Sequence, residues 1–312
     1  MRGIQFIPSD TRIPFMRFHK IFLGVSAFIV IGSILLVLLD GLNLGIDFRG
    51  GILLDVKTQG PADIPVMRQT LSGLDLGEVG LQEFGSPDNV LIRLQRQEGG
   101  EAEQTAAINR VKEALGEDVE YRRVELVGPQ VSGELFRDAM YALAAALLSI
   151  AAYLWFRFEW QFGLAGVLSL LHDCIAIVGV FALLGYEFNL TIVAAILTIA
   201  GYSINDSVVV FDRIRENMRK YKTMPFIELL DLSINQTLSR TFITGLTTII
   251  VLIVLYILGG EVLRGFSFAM LFGVIIGTYS SVFVAVPLLL YLDVRRAPAG
   301  GEAAIREHAG SS

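Results

Sequence analysis

LTIVAAILTIAGYSINDSVVVF, residues 190–211, is long and apolar enough to cross a bilayer, yet it carries Asn205 and Asp206 near one end. A carboxylate at that depth costs at least about 2.5 kcal/mol even on a lenient insertion scale, so Asp206 must face protein or water. Thr198, Tyr202 and Asp206 recur every fourth residue and share one helical face, with Asn205 beside them. A second polar stripe follows a basic loop. Arg240 opens another apolar run, and Thr244, Thr247 and Thr248 continue it at helical spacing. Two stripes of this kind can face each other inside a helix bundle.

Composition extends the membrane reading to the whole chain. With 53% hydrophobic and 18% charged residues and a positive mean hydropathy, 312 residues do not suit a soluble enzyme. Six segments qualify as spans: 21–39, 139–156, 162–184, 190–211, 240–258 and 266–292. With the N-terminus inside, the inner segments hold Arg2, Arg12, Arg17, Lys20, Arg157, Arg213, Arg215, Arg219, Lys220, Lys222, Arg295, Arg296 and Arg306. The short outer loops hold only Arg264. This bias predicts that the N-terminal segment 1–20 and the tail 293–312 are both cytoplasmic, and that 40–138 lies outside. The first span continues into Leu39-Asp40-Gly41 without a small-residue cleavage pattern and is expected to stay as an anchor. The lone cysteine, Cys174, falls in a span, so the outer domain has no disulfide.

The outer segment alternates strand and helix signals. Strands are expected at 52–57, 79–84, 90–94 and 119–127, and helices at 62–71 and 101–115. The order β-α-β-β-α-β is the ferredoxin-like plan, so the fold class is a six-helix membrane protein with one ferredoxin-like α+β domain between spans one and two. Ser86-Pro87-Asp88-Asn89 suits the hairpin bend, and Ala107, Val111, Ala114 and Leu115 form a helix face that can cover a sheet. No catalytic constellation is visible in this domain.

Gly45-Ile46-Asp47-Phe48-Arg49-Gly50-Gly51 joins the first span to the domain, and its three glycines permit tight turns beside a membrane. On spacing alone Gly45, Asp47, Gly50 and Gly51 read as a structural motif. His172 and Asp173 interrupt the third span, with Ser169 one turn before Asp173. They either line a hydrated path toward Asp206 or bond to each other as packing. The loop 212–239 has five basic residues and then Phe226, Ile227, Leu229, Leu230, Leu232 and Ile234, as in an amphipathic segment on the membrane surface. Gly273 and Gly277 in the last span and Gly163 with Gly166 in the third suit close helix contact, and Pro287 suits a kink. The chain has no G-x-x-x-x-G-K-[ST], H-E-x-x-H or G-x-S-x-G, which argues against a nucleotide-driven device and against an intramembrane protease.

Gly45 to Gly51 resembles the glycine-pair signature that follows the first span in the SecD/SecF protein-export family. His172-Asp173 resembles the family's HD pair, Gly201 to Ser207 running on to Glu216 resembles its fourth-span motif, and Ser233 to Thr241 the approach to its fifth span. Phe48 stands where the SecD pattern has Leu and favours the SecF branch. The resemblance runs in order from about Ile13 to Val294. It implies an accessory subunit of the inner membrane, not an enzyme, that works with SecD and the SecYEG channel, together with YajC and YidC, on unfolded exported polypeptides. It implies no cofactor and no nucleic-acid partner, only lipid and an ion gradient, of protons or of sodium.

The same residues suggest how the gradient is used. Asp206 takes up a proton while Arg240 holds the carboxylate ionised in one state and releases it in another, with Asn205, Asp173 and His172 extending the relay. The plain alternative is that Asp206 and Arg240 form a static pair that fixes helix packing.

Overall fold

The computed structural model describes residues 11–292, except 78, 96, 98, 117 and 118, and residue 294. Residues 1–10 and nearly all of 293–312, with Arg2, Arg295, Arg296 and Arg306 of the charge count, lie outside the described residues. A 3-10 turn, Phe15–Phe18, leads into α1 (His19–Leu39), and a four-residue helix, α2 (Ile46–Arg49), opens the sheet domain. That domain comprises β1 (Gly51–Thr58), α3 (Ile64–Ser72), β2 (Val79–Phe84), β3 (Ser86–Leu94), α4 (Glu101–Leu115) and β4 (Val119–Val127). Then follow α5 (Pro129–Arg157), α6 (Trp160–Leu184), α7 (Leu190–Lys220), α8 (Phe226–Leu258) and α9 (Gly260–Ser280). The last span continues through a π turn, Ser281–Ala285, into α10 (Val286–Tyr291). Among the described residues six helical segments are long and apolar enough to cross a membrane, and the chain is a multi-pass membrane protein.

The sheet runs β2-β3-β1-β4 with every pair antiparallel, the ferredoxin-like arrangement expected from the element order. Period-two alternation turns Ile52, Leu54 and Val56 of β1 and Val90, Ile92 and Leu94 of β3 toward the helices. Met67 and Leu71 of α3 and Ala107 and Val111 of α4 close that core. Asp63 caps α3 by accepting from Val66 N at 3.0 Å, and Glu103 reaches back to Gly100 N at 2.7 Å.

Two expectations change. The hairpin reverses at Gly85, whose φ of 81° suits only glycine comfortably, rather than at Ser86 to Asn89. Phe84 pairs with Ser86 while Glu83 pairs with Val90, so residues 87–89 bulge out of the β2–β3 ladder, though Asn89 still pairs with Lys57 of β1. The segment 212–239 is not a surface-lying amphipathic stretch. It is the end of α7 and the start of α8, joined by a turn at 221–225. Leu229, Leu230 and Ile234 are fully buried with Val210, Phe211 and Ile214, so their apolar face serves helix packing inside the protein.

Within the bundle, the last span is the most enclosed, followed by α6 and α7, with α7 packed on α9, α8 on α9 and α1 on α6. Lipid tails are as apolar as Leu, so association here rests on close packing and on polar contacts between helices. Small residues allow that approach. A Cβ built on Gly273 would collide with Ile199 of α7, and one on Gly277 would lie 3.1 Å from the Ser203 side chain. The G-x-x-x-G pair thus seats α9 against α7 within the chain. Pro287 has no N–H to offer the carbonyl four residues back, and the helix widens into the π turn immediately before it.

A Cβ on Gly179 of α6 would lie 2.8 Å from Ser33 Cα of α1, whereas Gly24 of α1 has nothing within 4 Å. Gly179→Val is therefore expected to lower the melting temperature in detergent by several degrees, and Gly24→Val to leave it nearly unchanged. Both substitutions have the same helix-propensity effect, so equal melts would remove the claim that α1 is seated through Gly179.

Candidate functional site

Asp173 has no exposed surface, and three helices converge on it. From α7, Ser203 Oγ donates to Oδ2 at 2.5 Å, and from the end of α9, Ser280 Oγ donates to the same oxygen at 2.8 Å. On α6 itself, His172 Nδ1 stands 2.9 Å from Oδ1. Gly277 lies beside this node, where a Cβ would press on the Ser203 side chain at 3.1 Å and reach van der Waals contact with Oδ2 at 3.6 Å. The π turn begins one residue after Ser280, so the irregular backbone of the last span starts at the node.

The node reaches α1 through an aromatic. The His172 ring lies 6.2 Å from that of Tyr279, whose hydroxyl is 2.9 Å from Ser26 Oγ and donates to the Phe22 carbonyl at 2.9 Å. His172 Nε2 and Ser169 Oγ are buried without a hydrogen-bond partner. Among the described residues no group of three or more His, Cys, Asp or Glu side chains is placed to hold a metal ion.

Asp206 stands three residues beyond Ser203 on α7, about 4.5 Å further along the helix axis. It is 4% exposed, and its Oδ2 has no hydrogen-bond partner. Arg240 is exposed on α8, and no ion pair joins it to Asp206. Asn205 is exposed beside Asp206, as are Thr198 one face along and Thr247 on α8. Tyr202 donates to Thr248 Oγ1 at 3.4 Å, so α7 and α8 touch along the two expected polar stripes. The structure thus brings Asp173 and His172 into one network and sets Asp206 next to it. It leaves Arg240 and Asn205 on the uncovered surface.

The glycine motif forms a clamp at the sheet-domain end of α7. Gly45 N donates to the Phe188 carbonyl at 2.9 Å, Phe188 N to Asn43 O at 2.8 Å, and Leu44 and Phe188 form an isolated parallel bridge. Asp47 Oδ2 accepts from Leu190 N at 3.0 Å, a carboxylate placed where the first amide of α7 needs an acceptor. A Cβ on Gly45 would meet Glu187 Oε1 at 2.5 Å, and Gly50 and Gly51 adopt φ of 71° and 125° to turn the chain into β1. Arg93 of β3 completes the clamp, donating to Asn43 Oδ1 at 2.9 Å and pairing with Glu187 at 2.5 Å.

Ser203, Ser280, Tyr279 and Arg93 were not among the site residues expected from sequence. Ser203 sits within the quoted stretch and one turn from Asp206, which was the available signal. Ser280 and Arg93 had none, because their partners lie 107 and 94 residues away.

Residues 107–295 match the family described as protein export membrane protein SecD/SecF, C-terminal, and residues 36–62 match the SecD/SecF GG motif. The protein translocase subunit SecF of Cereibacter sphaeroides is 46% identical over 94% of this chain and 93% of its own length. The protein translocase subunit SecDF of Brucella abortus is 41% identical, again over 94% of this chain, which spans 39% of that longer protein. The crystal structure of a translocon-associated SecDF from Thermus superposes with a TM-score of 0.84 at 35% identity, covering 92% of this chain and 39% of that one.

Because Ser203 and Ser280 serve one oxygen, Ser203→Ala and Ser280→Ala are each expected to cost about 1 kcal/mol of stability. Their sum should be non-additive in a double-mutant cycle followed by unfolding in mixed detergent. Strict additivity would show that the hydroxyls do not act through a common carboxylate.

Proposed function

The chain belongs to the SecD/SecF family of protein-export membrane proteins, and we propose that it is a SecF-type subunit which assists Sec-dependent export by relaying an ion, taken to be the proton, through Asp206. The sheet domain then lies on the periplasmic side and both termini are cytoplasmic, in keeping with the bias of Lys and Arg along the chain. Its clients are unfolded polypeptides. The Sec channel, with YajC and YidC as companions, carries over from the family alone.

One observation carries the relay. Asp206 is a buried carboxylate within a membrane-crossing helix, with an oxygen that no protein group satisfies. Such an atom is stabilised by a proton, by water or by a cation that moves in. Arg240 is the nearby candidate cation, and its exposure leaves it free to approach or withdraw. Asp173, by contrast, is already served by two hydroxyls and an imidazole. It suits the role of a fixed neighbour that receives or returns the proton through Ser203, with His172 on its other oxygen.

The uncovered stripe formed by Thr198, Asn205, Arg240 and Thr247 supports a partner here. Thr198 and Thr247 return their hydroxyls to carbonyls of their own helices, but the Asn205 amide and the Arg240 charge do not face hydrocarbon without cost, so a second helical bundle or water covers them. SecD is that partner in our reading, because relatives such as the Brucella protein carry SecD and SecF in one name and more than twice the length of chain. A proton falling through 100 mV releases about 2.3 kcal/mol, enough to bias a conformational equilibrium of the bundle.

In membrane vesicles holding the Sec channel and the SecD partner, Asp206→Asn is expected to insert and copurify normally but to reduce gradient-driven export to the level seen without a gradient. Running wild type in a proton-only and then a sodium-only gradient identifies the ion. Full gradient-driven stimulation in the Asn variant would leave Asp206 with a packing role alone.

A further inference from the structure

The helix that carries Asp206 is tied at its N-terminus to the sheet domain, and the ties come from both sides of that domain's entry. Asp47 caps Leu190, the first residue of α7, and Gly45 and Asn43 bond the turn at Phe188. Asn43 also donates to the Gly185 carbonyl at 2.9 Å. Phe48 packs on Phe188, with ring centres 6.2 Å apart, and edge-on against Phe136 of α5 at 5.5 Å. These contacts all involve the chain as it leaves α1. They hold α7 to the connection between α1 and β1, where Ile46 of α2 is buried against Leu53 and Leu91 of the sheet, an apolar contact without the directionality that fixes how the sheet sits.

Arg93 does specify it. It projects from β3, neighbour of the central strand β1, on the sheet face away from α3 and α4, and its two terminal nitrogens divide between Asn43 and Glu187. The Arg93 and Glu187 side chains are only 21% and 19% exposed, so the pair is held in a sheltered setting rather than on an open surface. Asn43 is bonded at once to Arg93 of the sheet and to the backbone just before α7.

We propose that the Arg93–Glu187 pair, with Asn43 between them, is the positioning contact through which displacement of α7 is passed to the sheet domain. This rests on the relay reading of Asp206, and it adds the route by which an event in the bilayer reaches the aqueous side. An α-helix is stiff along its axis, so a shift or tilt of α7 at Asp206 appears at Glu187, one short turn before the helix begins. The closed pair makes the sheet follow. Without it the domain stays attached through α2 and through Gly128 into α5, but follows α7 less closely.

The experiment uses vesicles reconstituted with the full chain, its SecD partner and the Sec channel, and reads ion influx and export separately. Arg93→Gln is expected to keep wild-type influx and to lose gradient-driven export severalfold, and the charge exchange Arg93→Glu with Glu187→Arg to restore it. A merely structural role would reduce both readouts together and would not be rescued. Export and influx both at wild-type level in Arg93→Gln would overturn the proposal, as would parallel loss of both without rescue. Should the glutamine variant fail to assemble, Arg93→Cys with Glu187→Cys joined by a short reducible thiol-specific linker decides. Export that is high when linked and falls on reduction supports the contact, and export unchanged by reduction overturns it. Asp206→Asn is run in parallel. Normal influx in that variant defeats the relay, while normal influx and export in Arg93→Gln, with influx lost in Asp206→Asn, defeats only the transmission contact.

Discussion

A carboxylate buried in hydrocarbon is satisfied by protein, by water or by a proton, and Asp173 is satisfied by α6, α7 and the end of α9 together. No hydrophobic force distinguishes one apolar helix face from another in lipid, so the position of these helices depends on contacts that lipid cannot replace. Hydrogen bonds to one oxygen from two helices fix both their depth and their rotation. The glycines at 273 and 277 permit the approach, and the hydroxyls at 203 and 280 then make it specific. Tyr279 carries the same order outward to α1 through Ser26 and the Phe22 carbonyl.

Against that fixed point, Asp206 is conspicuous for what it lacks. Both carboxylates are buried, yet one has its oxygens engaged and the other has an oxygen facing no donor. Unsatisfied buried groups carry a free-energy penalty, and natural structures keep few of them. The adjoining surface, with Asn205 and Arg240, is polar and exposed. A static Asp206–Arg240 pair would have removed the penalty within the chain. Asp206 and Arg240 form no ion pair in this structure.

The large features were legible because each is written locally. Apolar length gives the spans, period-two alternation gives β1 and β3, and the glycine pair marks the turn into β1. What sequence could not give is any partner chosen by tertiary approach. The apolar half of 212–239 has the same periodicity whether it meets lipid or Phe211 and Ile214, and the protein face was the one taken. Ser86-Pro87-Asp88-Asn89 has good turn chemistry, but Gly85 tolerates the positive φ that the tight reversal requires, and register on Val90 decided the rest. Ser203 was readable as a neighbour of Asp206 by one turn. That its hydroxyl belongs to Asp173 depended on how α6 and α7 meet.

These contacts make α7 a single rod that crosses every layer of the molecule. Its 31 residues extend about 46 Å. At the start it is capped by Asp47 and clamped beside Glu187, and in the middle Ser203 holds it to Asp173. Further on, both carboxylate oxygens of Asp212 accept from Nη2 of Arg157 of α5, at 2.8 and 2.7 Å. Near the far end Asn217 Nδ2 stands 2.9 Å from both Ser233 Oγ and Gln236 Oε1 of α8. A rod held at both ends by directional bonds, and gripped midway at a buried carboxylate, cannot shift at one point alone. In the proposed relay, a change in charge at Asp206, one turn from that grip, would therefore reach the clamp, the far turn and the uncovered face together.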